Sequence, residues 1–402
     1  MTHLLGAVPS QAERMSEPLR VGIVGCGRIG FLLEDDPLRG HPCTHAGAFS
    51  TVPETAIVAA CDIDDGRLRE FGRRYGIGRL TTSYKQMLRS ERLDLLCISS
   101  WTSTHVAIGV EACRNGVRGI LCEKPIATDI RSGRRLVEEC GARGASLIIN
   151  HERRFAVRYQ QVRDLIRNGA IGDLRTIVGN VLCPKWPAAS WKASPDLAGG
   201  GPLIHDGTHL IDMMRFLAGD IEWVSADACF DERAGGVETG AVAMLKFRDG
   251  GMGFLEAGGD RRYFNFELDI QGSGGRIRIG NGILEYELSG TSRRYTGFED
   301  LLPAELPPEP PGEPNGYVGA VRELVDCVRT GRASISSGRD GLAALDVINA
   351  IYLSASRRGA RVTLPLTSPA AGFRQLARLR AREAMAPESD PKRSAEHRGS
   401  SE

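Results

Sequence analysis

The first 148 residues alternate short apolar runs with stretches whose apolar residues have a loose helical spacing. One such stretch, 104–115, ends before Gly116, a common helix stop. The strand-like runs, several of them rich in β-branched residues, lie at 21–24, 57–61, 93–99 and 119–122. Apolar strands that alternate with helices of about ten to fifteen residues are typical of βαβ units. The pattern therefore predicts an α/β domain whose parallel sheet is covered by helices on both faces.

After residue 154 the pattern changes. A helix is expected over 156–168 and ends at Gly169, and longer alternating runs follow at 239–247 and 252–257. The residues between these two runs, RDGG, have the composition of a hairpin turn. The second region is therefore predicted to be an α+β domain with a mostly antiparallel, open sheet.

Changes in composition along the chain indicate where the domains and tails are expected to begin and end. The segment 302–316 carries six prolines and is predicted to be an extended surface loop, and helical patterns resume at 317–329 and 341–358. Beyond residue 366 the chain is rich in Arg, Ala and Ser. The expected division is a flexible tail at 1–18, an α/β domain at 19–148, an α+β domain at 149–366 and a flexible tail at 367–402.

The charge balance limits the kinds of binding partner that the chain is expected to have. The chain has 402 residues, with 51 Lys and Arg against 50 Asp and Glu, a formal net charge of +1. This balance gives no field that would attract nucleic acid or an anionic membrane. The apolar runs are far shorter than the roughly 18 residues of a membrane span, and no secretory leader is evident. We therefore expect a cytoplasmic protein without nucleic-acid or membrane partners.

The ten cysteines do not suggest a disulfide framework. Most lie inside apolar runs, and no two form a C-x-x-C pair. We expect free thiols, most of them buried.

A glycine-rich turn follows directly after the first predicted strand. It has the form G-x-G-x-x-G and runs Gly25-Cys26-Gly27-Arg28-Ile29-Gly30. The first glycine allows a tight turn, the second lets the backbone approach a pyrophosphate, and the third lets helix and strand pack closely. With the N-terminus of a helix facing the phosphates, this arrangement predicts a dinucleotide site.

Asp62 directly follows the second predicted strand. An acid at this position accepts hydrogen bonds from the adenine-ribose hydroxyls and repels a 2′-phosphate, so it favours NAD over NADP. Asp62 lies further from the glycine turn than the usual spacing of about 20 residues. The excess is an insertion, 31–44, interpreted either as a surface excursion or as a lid over the bound ligands.

Several segments together resemble the Gfo/Idh/MocA family of NAD(P)-dependent oxidoreductases, the glucose-fructose oxidoreductase and inositol dehydrogenase group. The similarity runs from about residue 19 to 365. Its landmarks are GCGRIG, DLLCISSWTSTH, LCEKP, VRDLIRNGAIGDL and GGGPLIHDGTHLID.

The resemblance implies roles for the residues of these segments. Lys124 would reach between the nicotinamide and the reacting hydroxyl, Glu123 would contact the nicotinamide ribose, and Ser100 would keep a cofactor contact. A fixed ammonium suits this chemistry, because hydride removal leaves oxyanion character that a cation stabilises. The resemblance also implies a cis Lys124-Pro125 bond and homo-oligomers built through the open sheet. Trp101 stands where the family usually has proline.

Two histidines are candidate proton acceptors. On one continuous helix His205, His209 and Asp212 would share a face. We assign His209 as the general base, since the family's histidine aligns there, while His205 occupies the family's usual Asp position and is kept as a second catalytic candidate. The spacing also fits a metal pair, but no third ligand is evident, and we assign no metal site. A buried structural histidine, satisfied by Asp212 or a carbonyl, is the other alternative.

The loop before the glycine run 199–201 contains Lys185-Trp186 and Trp191-Lys192. Indole faces stack on sugar C–H surfaces, and lysines hydrogen-bond hydroxyls or a carboxylate, although loop packing alone would also explain these residues. We place Trp191, Lys192 and Asp206 on the substrate side. Arg154 is assigned as a domain-interface or substrate-side cation.

The leading hypothesis is an enzyme that transfers a hydride between NAD and a hydroxyl or keto carbon of a sugar, sugar derivative or cyclitol. One alternative is a glycosidase or lyase that uses NAD transiently. Another is a non-catalytic, dinucleotide-sensing regulator, against which the presence of Lys124 and His209 argues.

Overall fold

A six-stranded parallel sheet, sheet A, forms the first part of the computed structural model, which describes residues 17–187, 189–230, 236–367 and 372–385. The strands are β1 (Leu19–Val24), β2 (Thr55–Cys61), β3 (Leu80–Thr81), β4 (Leu95–Ile98), β5 (Gly119–Cys122) and β6 (Ser146–Ile149). Their order is β3-β2-β1-β4-β5-β6. The order reverses between β1 and β4, and open α/β sheets bind ligands in the crevice at such a reversal.

Helices cover both faces of sheet A. Along β4, Leu95 and Cys97 belong to one apolar cluster and Leu96 and Ile98 to another, because successive side chains point to opposite faces. The helices that follow the strands in this part are α1 (His45–Thr51), α2 (Asp65–Tyr75), α3 (Tyr84–Ser90), α4 (Thr102–Arg114) and α5 (Ile130–Ala142). The predicted parallel sheet with two buried faces is confirmed.

A nine-stranded sheet, sheet B, forms the second part. Its strands are β7 (Leu174–Leu182), β8 (Ile221–Phe230), β9 (Glu238–Phe247), β10 (Met252–Gly258), β11 (Asn265–Gly272), β12 (Gly275–Gly280), β13 (Ile283–Thr291), β14 (Glu299–Pro303) and β15 (Val362–Thr363). Their order is β14-β13-β12-β11-β7-β10-β9-β8-β15, and only β7 and β10 pair in parallel. The mostly antiparallel sheet is therefore also confirmed.

The remaining helices all follow β6 in the chain. They are α6 (Val157–Arg167), α7 (Pro195–Ala198), α8 (Pro202–His205), α9 (Gly207–Ala218), α10 (Gly316–Thr330), α11 (Gly338–Ser356) and α12 (Gly372–Met385). Leu324 of α10 lies in the same cluster as Leu95, so a helix that follows sheet B in the chain returns to cover sheet A. The other face of sheet A and the inner face of sheet B share one continuous cluster, to which α11 contributes Ile348 and Ile351.

The structure describes only part of each expected tail. Residues 1–16, 368–371 and 386–402 of the expected tails lie outside the described residues. Within the expected C-terminal tail, however, α12 packs on α11. Phe373 and Leu376 are buried, and the ring of Phe373 lies 5.3 Å from that of Tyr352. The ring of Phe373 also stacks on that of Phe230 in β8, so this part of the expected C-terminal tail packs against both α11 and sheet B.

The cysteines are all free, and nine of the ten are buried. Among the helices of the described residues, none has the length and apolar character needed to cross a membrane.

Candidate active site

The glycine turn lies at the carboxyl end of β1. Gly25 has a φ of 101°, and a Cβ there would clash with the backbone at Ser99, which follows β4. A Cβ on Gly30 would overlap the carbonyl oxygen of Gly25, whereas no atom lies within 4 Å of the place a Cβ on Gly27 would take. Two of the glycines therefore permit close packing, and the third leaves open space beside the backbone. This cradle fits a pyrophosphate.

The helix expected directly after the glycine turn is interrupted. A short 3-10 turn forms at Leu32–Asp35, and helical structure resumes only in α1. The amide of His45 donates to the Ile29 carbonyl at 3.1 Å, and that of Ala46 donates to the Gly30 carbonyl at 3.0 Å. The insertion 31–44 therefore leaves and returns at the glycine turn, and the first amides of α1 bond to the last carbonyls of that turn.

Asp62 is tied to the glycine turn. Its Oδ2 accepts the Cys26 amide at 2.6 Å, and its Oδ1 accepts the Asp64 amide at 2.8 Å. The side chain lies at the carboxyl end of β2, beside the crevice, where an adenine ribose would reach it. A carboxylate has lone pairs beyond these two bonds, so it can still accept a ribose hydroxyl.

Glu123, at the carboxyl end of β5, is a buried carboxylate held from several sides. Its Oε1 lies 2.8 Å from His45 Nε2 and accepts a 2.7 Å hydrogen bond from Asn150 Nδ2. Burial alone raises the pKa of Glu123, but the hydrogen bond and charge of His45 and the neighbouring Lys124 lower it to about 2. Burial alone lowers the pKa of His45, but Cys97 and Glu123 raise it to about 10. The two side chains therefore form a buried ion pair at neutral pH.

Lys124 bridges the two parts of the molecule. Its Nζ donates to the backbone carbonyl of His205 at 2.8 Å, and the Lys124-Pro125 bond is cis, which confirms the prediction. His105, below this turn, lies 2.9 Å from the Pro125 carbonyl and 3.1 Å from the Ser100 carbonyl. It packs between the two loops, as expected for a structural histidine.

The expectation of one continuous histidine helix is wrong. Helix α8 ends at His205 and α9 begins at Gly207, with Asp206 between them. The His209 amide donates to the Asp206 carbonyl three residues back, instead of to His205 four residues back. Because the His209 amide bonds to Asp206 instead, the His205 carbonyl is available to accept the hydrogen bond from the Lys124 ammonium. The physical cause is a tertiary hydrogen bond that residue spacing alone does not reveal.

The position of α8 depends on Glu238. Its carboxylate accepts the Gly201 amide at 2.7 Å and the Leu203 amide at 3.0 Å, and the Tyr352 hydroxyl donates to it at 2.9 Å. Burial raises the pKa of Glu238 to about 7, although these hydrogen bonds act in the opposite direction. A Cβ on Gly200 or Gly201 would overlap Tyr352 or Glu238, so glycine is required where α8 begins.

His209 faces a carboxylate that the sequence analysis did not identify. Its Nδ1 lies 3.2 Å from Glu152 Oε2, although the two atoms are not aligned as a hydrogen bond. Burial and the cations Lys124 and Arg153 lower the pKa of His209 well below its ordinary 6.5. The imidazole is therefore neutral at physiological pH and able to accept a proton.

His205 is enclosed by the two tryptophans of the preceding loop. Its ring centroid lies 5.2 Å from that of Trp186 and 5.2 Å from that of Trp191, both edge-on, and its Nε2 has no hydrogen-bond partner. Burial, Lys192 and Lys124 lower the pKa of His205 well below 6.5. His205 therefore forms part of an aromatic wall beside Lys124.

Lys192 completes this wall. Its Nζ lies 4.8 Å from the centre of the Trp186 ring. Burial lowers the pKa of Lys192; Asp206 opposes this shift and Lys124 adds to it. The structure thus brings together Trp191, Lys192 and Asp206, which the sequence analysis placed on the substrate side.

Arg154 is buried in the junction between the two parts. Its guanidinium makes two hydrogen bonds to Asp212, at 2.7 and 2.8 Å, and another to the Ile335 carbonyl at 2.6 Å. Asp340 lies 3.2 Å away. Of the two roles considered for Arg154, these contacts support the domain interface. Asp212 is consequently engaged here and does not partner His209.

Ser100 and Trp101, two further residues of the family segment, lie between β4 and α4. The Ser100 hydroxyl is 2.7 Å from that of Thr104, and Trp101 precedes α4 with 41% of its surface exposed. The residues that the sequence analysis missed are His45, Asn150 and Glu152. The last two follow the carboxyl end of β6, and that position at the ligand edge of the sheet was the signal available for them.

Comparison with known proteins gives two matches to family models. Residues 19–151 match the oxidoreductase family with an NAD-binding Rossmann fold, and residues 159–278 match the GFO/IDH/MocA C-terminal domain. The first domain of this chain is thus an NAD-binding Rossmann domain.

Among characterised proteins, the chain is 29% identical over 380 residues to D-apiose dehydrogenase of Paraburkholderia graminis, covering 90% of this chain and 93% of the relative. It is 25% identical over 339 residues to myo-inositol 2-dehydrogenase of Thermotoga maritima, covering 81% and 93%. Among solved structures, aldose-aldose oxidoreductase of Caulobacter crescentus complexed with glycerol superposes with a TM-score of 0.74 at 25% identity, covering 87% of this chain and 100% of that one.

The buried pair of His45 and Glu123 leads to a prediction about stability. Replacing His45 with Ala leaves a buried carboxylate without its partner, and breaking such a pair costs about 3–5 kcal/mol. We expect the free energy of unfolding, measured by urea titration between pH 4.5 and 6.5, to fall by this amount. His45→Gln, which keeps an uncharged donor, should lose less.

The pH dependence follows from the two pKa shifts. The depressed pKa of Glu123 stabilises the fold above 4.5 and loses its effect as the pH falls towards about 2. The raised pKa of His45 stabilises the fold below 6.5 and loses its effect as the pH rises towards about 10. The difference between the native chain and His45→Gln should therefore be largest between pH 4.5 and 6.5 and shrink on both sides. A difference that does not change with pH would contradict the ion pair.

Proposed function

Because the chain belongs to the GFO/IDH/MocA family of oxidoreductases, we propose that it transfers a hydride between NAD and a hydroxyl or keto carbon of a sugar, sugar derivative or cyclitol. The observation that carries this proposal is the contact of Lys124, which follows β5, with the end of α8, immediately before the helix that carries His209. Lys124 contacts α8 at 2.8 Å, and its charge acts on the pKa of His209. An ammonium and a neutral imidazole at one place suit the oxidation of an alcohol.

The residues present fit a bound dinucleotide. The open space at Gly27 and the close packing at Gly25 and Gly30 suit a pyrophosphate, with Arg28 and Ile29 in the same turn. Asp62 would accept the adenine-ribose hydroxyls. Ser100 and Glu123 would lie at the nicotinamide end. A bound nicotinamide supplies the hydride acceptor, or the donor in the reverse direction.

The chain's own residues move the proton and stabilise charge. Glu152 lies against Nδ1 of His209, which leaves Nε2 as the atom that takes the hydroxyl proton. The oxygen that loses this proton carries developing negative charge, and the Lys124 ammonium stabilises it. Glu152 would act as a positioning residue, because its carboxylate lies 3.2 Å from Nδ1, on the side of the imidazole away from Nε2.

The pocket wall supports a polyhydroxylated substrate. Trp186 and Trp191 offer indole surfaces for sugar C–H groups, and Lys192 and Asp206 offer a donor and an acceptor for hydroxyls. D-apiose and myo-inositol, the compounds in the names of two relatives, are polyhydroxylated in the same way. His205 lines the same wall and is kept as the second catalytic candidate.

We also propose a homo-oligomer formed through the open face of sheet B. Val242 and Phe254 lie on adjacent strands of this face and are 53% and 43% exposed. A cytoplasmic location remains a prediction of the sequence.

The experiment that tests the proposed function is a screen of sugars, sugar acids and cyclitols with NAD, read by the absorbance of the reduced nicotinamide. Stoichiometric reduction of NAD with loss of substrate is the expected result. Turnover without net reduction would indicate a glycosidase or lyase, and binding without turnover would indicate a regulator. Either of these outcomes would overturn the proposal.

Lys124→Ala tests the oxyanion role. Losing one preorganised stabiliser should lower kcat by about 100-fold or more. Dinucleotide affinity, measured by calorimetry, and thermal melting should change little. The matched control is Lys85→Ala, on the exposed surface of α3, which should keep full turnover. A Lys124→Ala enzyme with most of its turnover would refute the role.

His209→Asn and His205→Asn together identify the base. The depressed pKa of His209 keeps it deprotonated at pH 6.5, so the acidic limb of the kcat/KM profile should lie well below that pH. His209→Asn should abolish this limb and lower the rate by about 100- to 10,000-fold. His205→Asn should cost less and leave the limb in place. The opposite pattern would make His205 the base.

Asp62→Ser tests cofactor selection. Loss of a charge-assisted hydrogen bond should weaken NAD and relax discrimination against NADP by about 1–3 kcal/mol. Fluorescence titration with both reduced cofactors measures the change. Equal affinities before and after the substitution would remove Asp62 from the cofactor site.

A further inference from the structure

The insertion 31–44 brings together three side chains that bind metals in other proteins: Glu34, His41 and Cys43. One candidate ligand atom from each lies within 4.8 Å of the other two. Nδ1 of His41 is 2.9 Å from Oε2 of Glu34 and 3.8 Å from Sγ of Cys43. The three therefore form one compact cluster beside the glycine turn, outside the proposed catalytic residues.

The carboxylate of Glu34 is oriented for this cluster. Its Oε1 accepts the amides of Cys43 and Thr44 at 2.8 and 2.9 Å and the Thr44 hydroxyl at 2.7 Å. These bonds satisfy donors where α1 begins, and they leave Oε2 directed at His41. Metal-binding carboxylates are commonly fixed in this way, with one oxygen hydrogen-bonded and the other ligating.

The spacing of the three atoms suits a tetrahedral zinc ion. Zinc lies about 2.3 Å from sulfur and about 2.0–2.2 Å from nitrogen and oxygen, so neighbouring ligands are roughly 3.3–3.6 Å apart. The observed distances are 2.9 Å between nitrogen and oxygen and 3.8 Å between nitrogen and sulfur, and no two of the three ligand atoms lie more than 4.8 Å apart. A rearrangement of side chains within this cluster would accommodate the ion. Nitrogen and sulfur ligands also favour zinc over magnesium or calcium.

We propose that Oε2 of Glu34, Nδ1 of His41 and Sγ of Cys43 bind one zinc ion, with a water molecule as the fourth ligand. The side chain of His41 is 42% exposed, which gives the ion and the water a path from solvent. Sγ of Cys43 donates to the Leu33 carbonyl at 3.1 Å. On binding, the S–H bond breaks, the zinc–sulfur bond forms, and the proton leaves to solvent.

The zinc ion has a structural role in this arrangement. The Pro42 carbonyl, between two of the ligands, accepts a 2.7 Å hydrogen bond from Asn315, which caps α10. Thr44 caps α1, whose first residue is the partner of Glu123. Zinc would therefore fasten the looped-out insertion to both helices without contacting the reacting groups. The proposal is independent of the proposed reaction.

The test measures metal directly in the full chain, purified without a histidine tag and reconstituted with zinc or cobalt. We expect about one zinc per chain by elemental analysis and a near-ultraviolet thiolate-to-cobalt absorption band, as three protein ligands including a cysteine require. Zinc should also raise the melting temperature. Cys43→Ser should abolish the cobalt band and reduce bound zinc to about a tenth or less.

Two further variants keep the result interpretable. His41→Ala changes a partly exposed side chain, so it should lose zinc while the fold is retained, as judged by circular dichroism. Cys229→Ser removes the exposed cysteine and should keep both the zinc and the cobalt band. Absence of zinc and of the band in the native chain, or their persistence in Cys43→Ser, would overturn the proposal.

Discussion

A buried carboxylate at the carboxyl end of β5 sets the arrangement of the candidate site. Glu123 stays charged because His45 and Asn150 reach it from α1 and from the end of β6, and because Lys124 follows it in the chain. A charge removed from water must be paired and hydrogen-bonded, or the fold loses several kcal/mol. Three separate segments are thereby fixed relative to one another, and the backbone that carries Lys124 follows directly from this point.

The second constraint is that the site spans two sheets. Lys124 follows β5 of sheet A, whereas His205, His209 and the two tryptophans lie between β7 and β8, two strands of sheet B. One apolar cluster runs between the sheets, and the pair of Arg154 and Asp212 is buried at their junction. This shared packing joins the part of the chain that carries Lys124 to the part that carries His205 and His209.

Features with a local cause could be predicted from the sequence. Four strands of sheet A, the hairpin of β9 and β10 and the glycine turn leave a signature within a few residues, whereas the cis Lys124-Pro125 bond was implied by the family resemblance. The break at Asp206 left none, because it depends on a lysine 81 positions away. Likewise, the contact of Glu152 with His209 and the hydrogen bond from His45 to Ile29 arise only when distant segments meet.

The loop at 31–44 leaves and returns at one place, since the amides of His45 and Ala46 bond to the carbonyls of Ile29 and Gly30. Its two ends are therefore held side by side at the glycine turn. The base of the loop is tied to its surroundings, because Glu34 accepts the amides of Cys43 and Thr44 where α1 begins. Leu38, near the tip, is 94% exposed, so sequence added there would change the length of the loop while the dinucleotide cradle keeps its shape.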